Sequence, residues 1–219
     1  FQDEVGVIDY NTLDKTTVRA NLNAAIRDDI DVSVSTGYTK QMLDFNSNDN
    51  SIFSPILNGL LGEAYFVPAN PDDLPGVNRR NYGFGFNQWD NGHYVINDDV
   101  DRITLGSTAQ YRPLNWLSLN ANGGRDLSSG HTYRTLQPGL LPIAASWENG
   151  FRESDRKSQY TYTFNTSAVG TYTIQDDLFS TTTTGVSYNR TLLNRTECYG
   201  SSLIQGTASC GTTAALFAI

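Results

Sequence analysis

The chain of 219 residues lacks any run approaching the roughly 18 to 20 apolar residues that a spanning helix requires, so helical membrane insertion is excluded. No positively charged segment followed by an apolar one opens it, and because it starts at Phe1 rather than Met, its true N-terminus is expected to lie upstream. Basic residues are scarce. Fifteen Lys and Arg against 23 Asp and Glu give a formal charge of −8, which excludes nucleic acid as a partner, since neutralising phosphates takes clustered cations. Histidine is limited to two residues, His93 and His131, both expected in loops and neither at a spacing that suggests a triad or a zinc site. With no nucleophile constellation either, the chain is read as a non-enzyme. The GFGF run from Gly83 to Phe86 has neither the third glycine nor the following helix of a dinucleotide site, and no cofactor is expected. Two acidic clusters, Asn46 to Asn50 and Asn97 to Asp99 with Asp101, miss the fixed spacing and terminal Glu of an EF-hand. They read as solvated loop shoulders, so no metal site is assigned.

What the chain does have is one hairpin pattern occurring three times. TTVRANLNAAI turns at Arg27-Asp28-Asp29 into IDVSVSTGYTKQMLDF; DRITLGSTAQY turns around Pro113-Leu114-Asn115 into WLSLNANGGRDL; KSQYTYTFNTSAVGTYTI turns at Gln175-Asp176-Asp177 into LFSTTTTGVSYNRTLLN. Apolar and polar residues alternate with a period of two. Val18, Ala20, Leu22, Ala24 and Ile26 share one face against Thr17, Arg19, Asn21 and Asn23, and Ile30, Val32, Val34 and Tyr38 oppose Asp31, Ser33, Ser35 and Thr39. The second hairpin repeats this with Ile103, Leu105, Ala109, Tyr111, Leu117, Leu119 and Ala121 against Arg102, Thr104, Gln110, Asn120 and Asn122. In the third, Tyr160, Tyr162, Phe164, Ala168 and Tyr172 share a face, while the return strand puts Ser180 and Thr182 on that side before Val186 and Tyr188.

Alternation alone fits a secreted β-sandwich with its apolar face inward equally well. Strand length and aromatic placement favour a membrane. Strands of ten or more residues match the roughly 9 to 11 that cross a bilayer at a tilt, and exceed the five or six usual in globular sheets. Tyr111, Trp116, Tyr172 and Phe179 flank the short turns, while Tyr38, Tyr160 and Tyr188 lie towards the long loops, as two interfacial girdles would. The expected fold class is therefore all-β, an antiparallel transmembrane barrel segment with short periplasmic turns and long extracellular loops. About six strands are expected, at 16–26, 30–45, 100–112, 116–128, 157–174 and 178–194, with loops at 46–99, 129–155 and 196–219, all within one barrel domain over 1–219. Six are fewer than the eight at which single-chain barrels begin, so the segment is expected to belong to a larger barrel.

The order of these pieces resembles the barrel of a SusC-like TonB-dependent outer-membrane transporter. The resemblance rests on VRANLNAAIRDDIDVSVSTGYTK leading to SIFSPILNGLLG, and on DVDRITLGSTAQYRPLNWLSLNANGGRDLSS, where Trp116 follows the turn and Gly124-Arg125-Asp126 ends the strand. It implies a bacterial outer-membrane importer of glycans or peptides, a 22-stranded barrel around an N-terminal plug. It further implies a TonB complex engaged through a region absent from this sequence and a SusD-like surface lipoprotein as partner. A passive porin or adhesin barrel, and the soluble carbohydrate-binding sandwich, remain the alternatives.

The long loop carries Phe53, Tyr65, Phe66, Tyr82, Phe84, Phe86, Trp89 and Tyr94 among Asn and Gly. Aromatic faces beside Asn can stack on sugar rings or hold a peptide, and Trp89, Tyr82 and Tyr94 are the expected ligand contacts. The plainer reading makes these rings a small core that folds the loop or seats the lipoprotein. Cys198 and Cys210 are the only cysteines, both expected in a Gly- and Ser-rich loop. In the oxidising periplasm they are expected to form a disulfide worth about 3 kcal/mol in the chain-entropy model.

Overall fold

The computed structural model describes residues 1–48, 50–51, 53–61, 92–139 and 149–204 together with the backbone of 213–218. Its elements are β1 (Gln2–Val5), β2 (Thr12–Arg27), β3 (Ile30–Phe45), α1 (Pro55–Leu61), β4 (Ile96–Leu114), β5 (Leu117–Leu136), β6 (Phe151–Gln175), β7 (Leu178–Leu203) and β8 (Thr213–Ala218). The strands form one eight-stranded antiparallel sheet in chain order, so each strand pairs with its sequence neighbours. Among the described residues no ladder joins β1 to β8, and the sheet is open. Nor, among those residues, does a second sheet cover it.

The three expected hairpins are β2–β3, β4–β5 and β6–β7, with the expected faces, including the third, where Tyr172 lies opposite Ser180 and Gly170 opposite Thr182. Their turns are tighter than expected, two residues each: Asp28-Asp29, Asn115-Trp116 and Asp176-Asp177. Asp and Asn suit these positions because their short side chains can bond the neighbouring main chain, and none of these turn residues takes a positive φ. Beside each turn the register shifts, between Ala25 and Arg27, Tyr111 and Leu114, and Thr173 and Gln175, a bulge that sharpens the local twist.

The strands also run further than expected at their loop ends. β5 reaches Leu136 rather than 128, β6 begins at Phe151 rather than 157, and β7 continues to Leu203 rather than 194. The reason is visible in the register. Above the row Val18–Tyr38–Ile103–Leu127–Tyr160–Leu192, the formerly apolar face reads Thr16, Lys40, Asp101, Ser129, Ser158 and Asn194, then Asp14, Met42, Asp99, His131, Arg156 and Thr196. On β5, β6 and β7 the other face of these rows is polar too, with Thr132, Asp155, Lys157, Arg195 and Glu197, so alternation disappears there while the ladder continues. His131 accordingly lies in β5 and Cys198 in β7 rather than in loops, and Asn97 to Asp101 belong to β4, where they alternate between faces instead of forming a cluster.

The short turns also step along the sheet. Ile30 lies opposite Tyr111, three residues before the second hairpin closes at Leu114, and Leu117 lies opposite Gly170, five before the third closes at Gln175. Strands tilted in a barrel wall produce this stagger when their turns lie in one plane. The apolar face has no protein against it: Leu22, Leu105 and Val186 are 65%, 46% and 66% exposed. The only cluster of buried apolar side chains among the described residues sits at the loop end, where Leu136, Phe151, Leu203, Phe53 and Tyr94 are buried. Ser54 caps α1 there, accepting from Leu57 N at 3.3 Å, and Pro55 takes the first helical position, where its missing N–H costs nothing.

Candidate functional site

Polar residues line the opposite face from turn to loop. One row of the ladder reads Asn23, Ser33, Thr108, Asn122, Asn165 and Ser187, and the next towards the turns reads Ala25, Asp31, Gln110, Asn120 and Ser167. A hollow of about 680 Å³ lies over these two rows, so the concave side of the sheet is the polar one. On the same face Arg102 Nε donates to Asp126 Oδ1 at 3.0 Å and, nearer the turns, Arg112 Nη2 to Asp31 Oδ2 at 2.6 Å. The expected wall residues Arg19, Asn21, Asp31, Arg102, Gln110, Asn120 and Asn122 all share this concave face.

At the loop end the same face carries a second hollow, of about 490 Å³, whose rim is densely charged and whose floor includes Phe45 and Ile96. Arg134 pairs with Glu153 across β5 and β6. Asp155 accepts from Lys157 Nζ at 2.8 Å and from Arg195 Nη2 at 3.0 Å, and Arg195 also pairs with Glu197. Alternation along extended strands explains the arrangement: Glu153, Asp155 and Lys157 are two apart, as are Arg195 and Glu197, so each set points to one side. A rim of both signs over an apolar floor can hold a ligand with amide and charged groups. The sequence reading missed these residues because it ended the strands at 128, 157 and 194; the i, i+2 spacing of the charges was the available signal.

Tyr94 lies beside Arg134, which lines this hollow. Its ring stacks on Phe53 at 3.8 Å between centroids and meets Phe151 edge-on at 5.5 Å, and the Arg134 guanidinium lies 5.4 Å from its centroid. Phe151 in turn stacks near Tyr199 at 6.2 Å. Burial pushes the Tyr94 phenol up to about 12, which keeps it neutral. Its ring is covered on one face by Phe53, is 6% exposed, and packs the loop against the strands. Trp89 and Tyr82 lie outside the described residues. Cys198 is disulfide-bonded; Cys210 also lies outside the described residues, and its pairing with Cys198 is our proposal. His131 Nε2 meets Ser154 Oγ at 2.9 Å on the convex face, but no hydrogen bond joins Asp99 to it, although Asp99 stands across the ladder.

Staggered two-residue turns, a mainly polar concave face and a mainly apolar convex face are those of an open section of an antiparallel β-barrel wall. The particular solved structures it matches include the RagAB peptide transporter, with a TM-score of 0.68 at 15% identity, over 95% of this chain and 24% of that one. The RagAB peptide importer in its 'closed-closed' and 'open-open' states gives TM-scores of 0.64 and 0.62, each at 13% identity over the same shares. At such identities the likeness is one of fold, and the chain spans about a quarter of the length of the chains it matches. No family profile and no curated protein matches it.

Proposed function

We propose that this chain is part of the barrel wall of a SusC-type, TonB-dependent nutrient importer in a bacterial outer membrane, working with a SusD-like surface lipoprotein. One observation carries the reading. From the turns up to the row from Val18 to Leu192 the convex face is mainly apolar, with Arg125 and Arg190 near its upper border, and above that row it is mainly polar, whereas over the same span the concave face carries chiefly Thr, Ser, Asn, Arg and Asp. A sheet facing solvent on both sides has no use for such a band, while a wall between lipid and a wet lumen requires it. The strands of 16 to 26 residues exceed the roughly 9 to 11 needed to cross, so their upper ends stand outside the membrane and carry the charged hollow. That hollow suits a peptide better than a neutral glycan, because paired cations and carboxylates can exchange partners with termini and side chains. The solved structures of similar fold are described as a peptide transporter and importer.

The function is tested by deleting the full-length gene in its host and following uptake of labelled oligopeptides and oligosaccharides. Loss of peptide uptake, restored by the wild-type gene and weakened by Asp155→Asn with Glu153→Gln, is expected. Undiminished uptake of both substrates in the deletion strain would refute it.

A further inference from the structure

The charged side chains divide unequally between the two faces. On the concave face Arg102, Arg112, Arg134, Lys157 and Arg195 are ion-paired, while Lys15 and Arg19 form no ion pair among the described residues. On the convex face Arg125, Arg190 and Arg156 are exposed, and among the described residues none of them forms an ion pair. Neighbours in sequence show the contrast: Asp126 points to the concave side and takes Arg102, which leaves Arg125 on the convex side without an acid. The convex acid on the adjacent strand, Asp101, lies four positions further up the register, opposite Ser129, and accepts from Tyr38 Oη at 2.6 Å.

Arg125 and Arg190 flank Tyr162 in a single ladder row, Arg125 opposite Tyr162 and Tyr162 opposite Arg190. Adjacent strands lie about 4.8 Å apart, so the two arginines are separated by about 10 Å with an aromatic ring between them. The Arg125 guanidinium stands 5.4 Å from the centroid of that ring. The stagger of the turns fixes their height. The lower edge of the wall falls along the register from β3 to β7, so the upper edge falls with it. On β7 the aromatic position at the upper rim is Tyr188, and Arg190 is the next convex residue above it. Two guanidiniums without an acid, one step below the row Leu127–Tyr160–Leu192 and on stems long enough to snorkel towards the headgroups, can converge over the tyrosine on the oxygens of one phosphate.

We infer that Arg125 and Arg190, with Tyr162 between them, bind the phosphate of an anionic lipid headgroup in the outer leaflet. The inference rests on the importer reading for its membrane placement. The proximity of lipid explains why no acid neutralises this pair, since a headgroup supplies the countercharge, and why arginine stands where lysine would serve mere interfacial anchoring.

The test uses the full-length protein extracted in detergent, with native mass spectrometry of lipid bound after adding phosphatidylglycerol or phosphatidylcholine. Phosphatidylglycerol should bind the wild-type protein, and Arg125→Gln and Arg190→Gln should each weaken it about five-fold. The double Lys variant should bind more weakly than the wild type but more tightly than the double Gln variant, and Lys15→Gln, on the concave face, should leave binding unchanged. Heat-modifiable gel mobility confirms that each variant is folded. Equal phosphatidylglycerol binding by wild type and the double Gln variant, or equal binding of phosphatidylcholine by the wild type, would overturn the site. Release of the protein from envelopes without detergent would instead overturn the importer reading, before any lipid is added.

Discussion

Replacing Val34 by Arg tests the face assignment at its most sensitive point. The apolar positions of β3 run Ile30, Val32, Val34 and Tyr38, so Val34 is central to the band, and at 44% exposure it has no protein over it. An arginine facing lipid at the midplane costs about 2 to 4 kcal/mol, which is roughly 30- to 1,000-fold in the folding equilibrium. Ser35 lies one residue away on the concave face, bordering a small hollow with Gly106 and Asn122, where a long polar side chain can extend into the lumen. Ser35→Arg should stay within about 0.5 kcal/mol of wild type. The assay is guanidinium unfolding of the full-length protein refolded into phosphatidylcholine vesicles, both variants in parallel. Losses equal within about 0.5 kcal/mol, or a greater loss for Ser35→Arg, would refute the assignment of lipid to the convex face. Leu119 on β5 and Val32, nearer the turns, should show the same sign with a smaller loss, because the cost falls towards the interface, and Asn120→Arg beside Leu119 should be mild.

Gly150 holds a φ of 68° and a Cβ there would collide with Leu136 O and lie 2.9 Å from Pro138 N. Gly150→Ala should therefore destabilise the loop-end core by about 1 to 3 kcal/mol, read as faster proteolysis after residue 136 with the lower barrel intact. The Tyr94 phenol is raised in the folded protein, so its contribution to seating the loop is fully present below pH 10 and falls between pH 10 and about 12; the ultraviolet titration of Tyr94→Phe should lack a component at the late end of the wild-type curve. Intact mass spectrometry of unreduced protein treated with a thiol reagent should find Cys198 and Cys210 unmodified, and modification of both would remove the proposed pairing.

The three hairpins and their faces were legible because alternation is a local property, visible wherever one side is consistently apolar. The strand extensions were not, since above Leu127 and Tyr160 both faces are polar and only the ladder itself reveals them. The short edge strand β1 escaped for a related reason. QDEV carries no apolar alternation, and its strand character comes from pairing with Lys15, Asp14, Leu13 and Thr12. The charged hollow was hidden with the extensions, because Arg134, Glu153 and Arg195 are far apart in sequence and meet only through the registers of β5, β6 and β7. Tyr94 drew notice as an aromatic in a polar loop, a signal that does not distinguish a ligand platform from a ring that packs on Phe53 and Phe151.

The central claim is that this sheet is a section of a membrane barrel wall with its apolar face in lipid. Extraction of the full-length protein from cell envelopes, with detergent dependence and heat-modifiable gel mobility recorded together, tests it most directly. The account predicts protein that stays with the membrane until detergent is added and migrates faster unheated than boiled. Protein released in buffer alone, with the same mobility before and after heating, would contradict it.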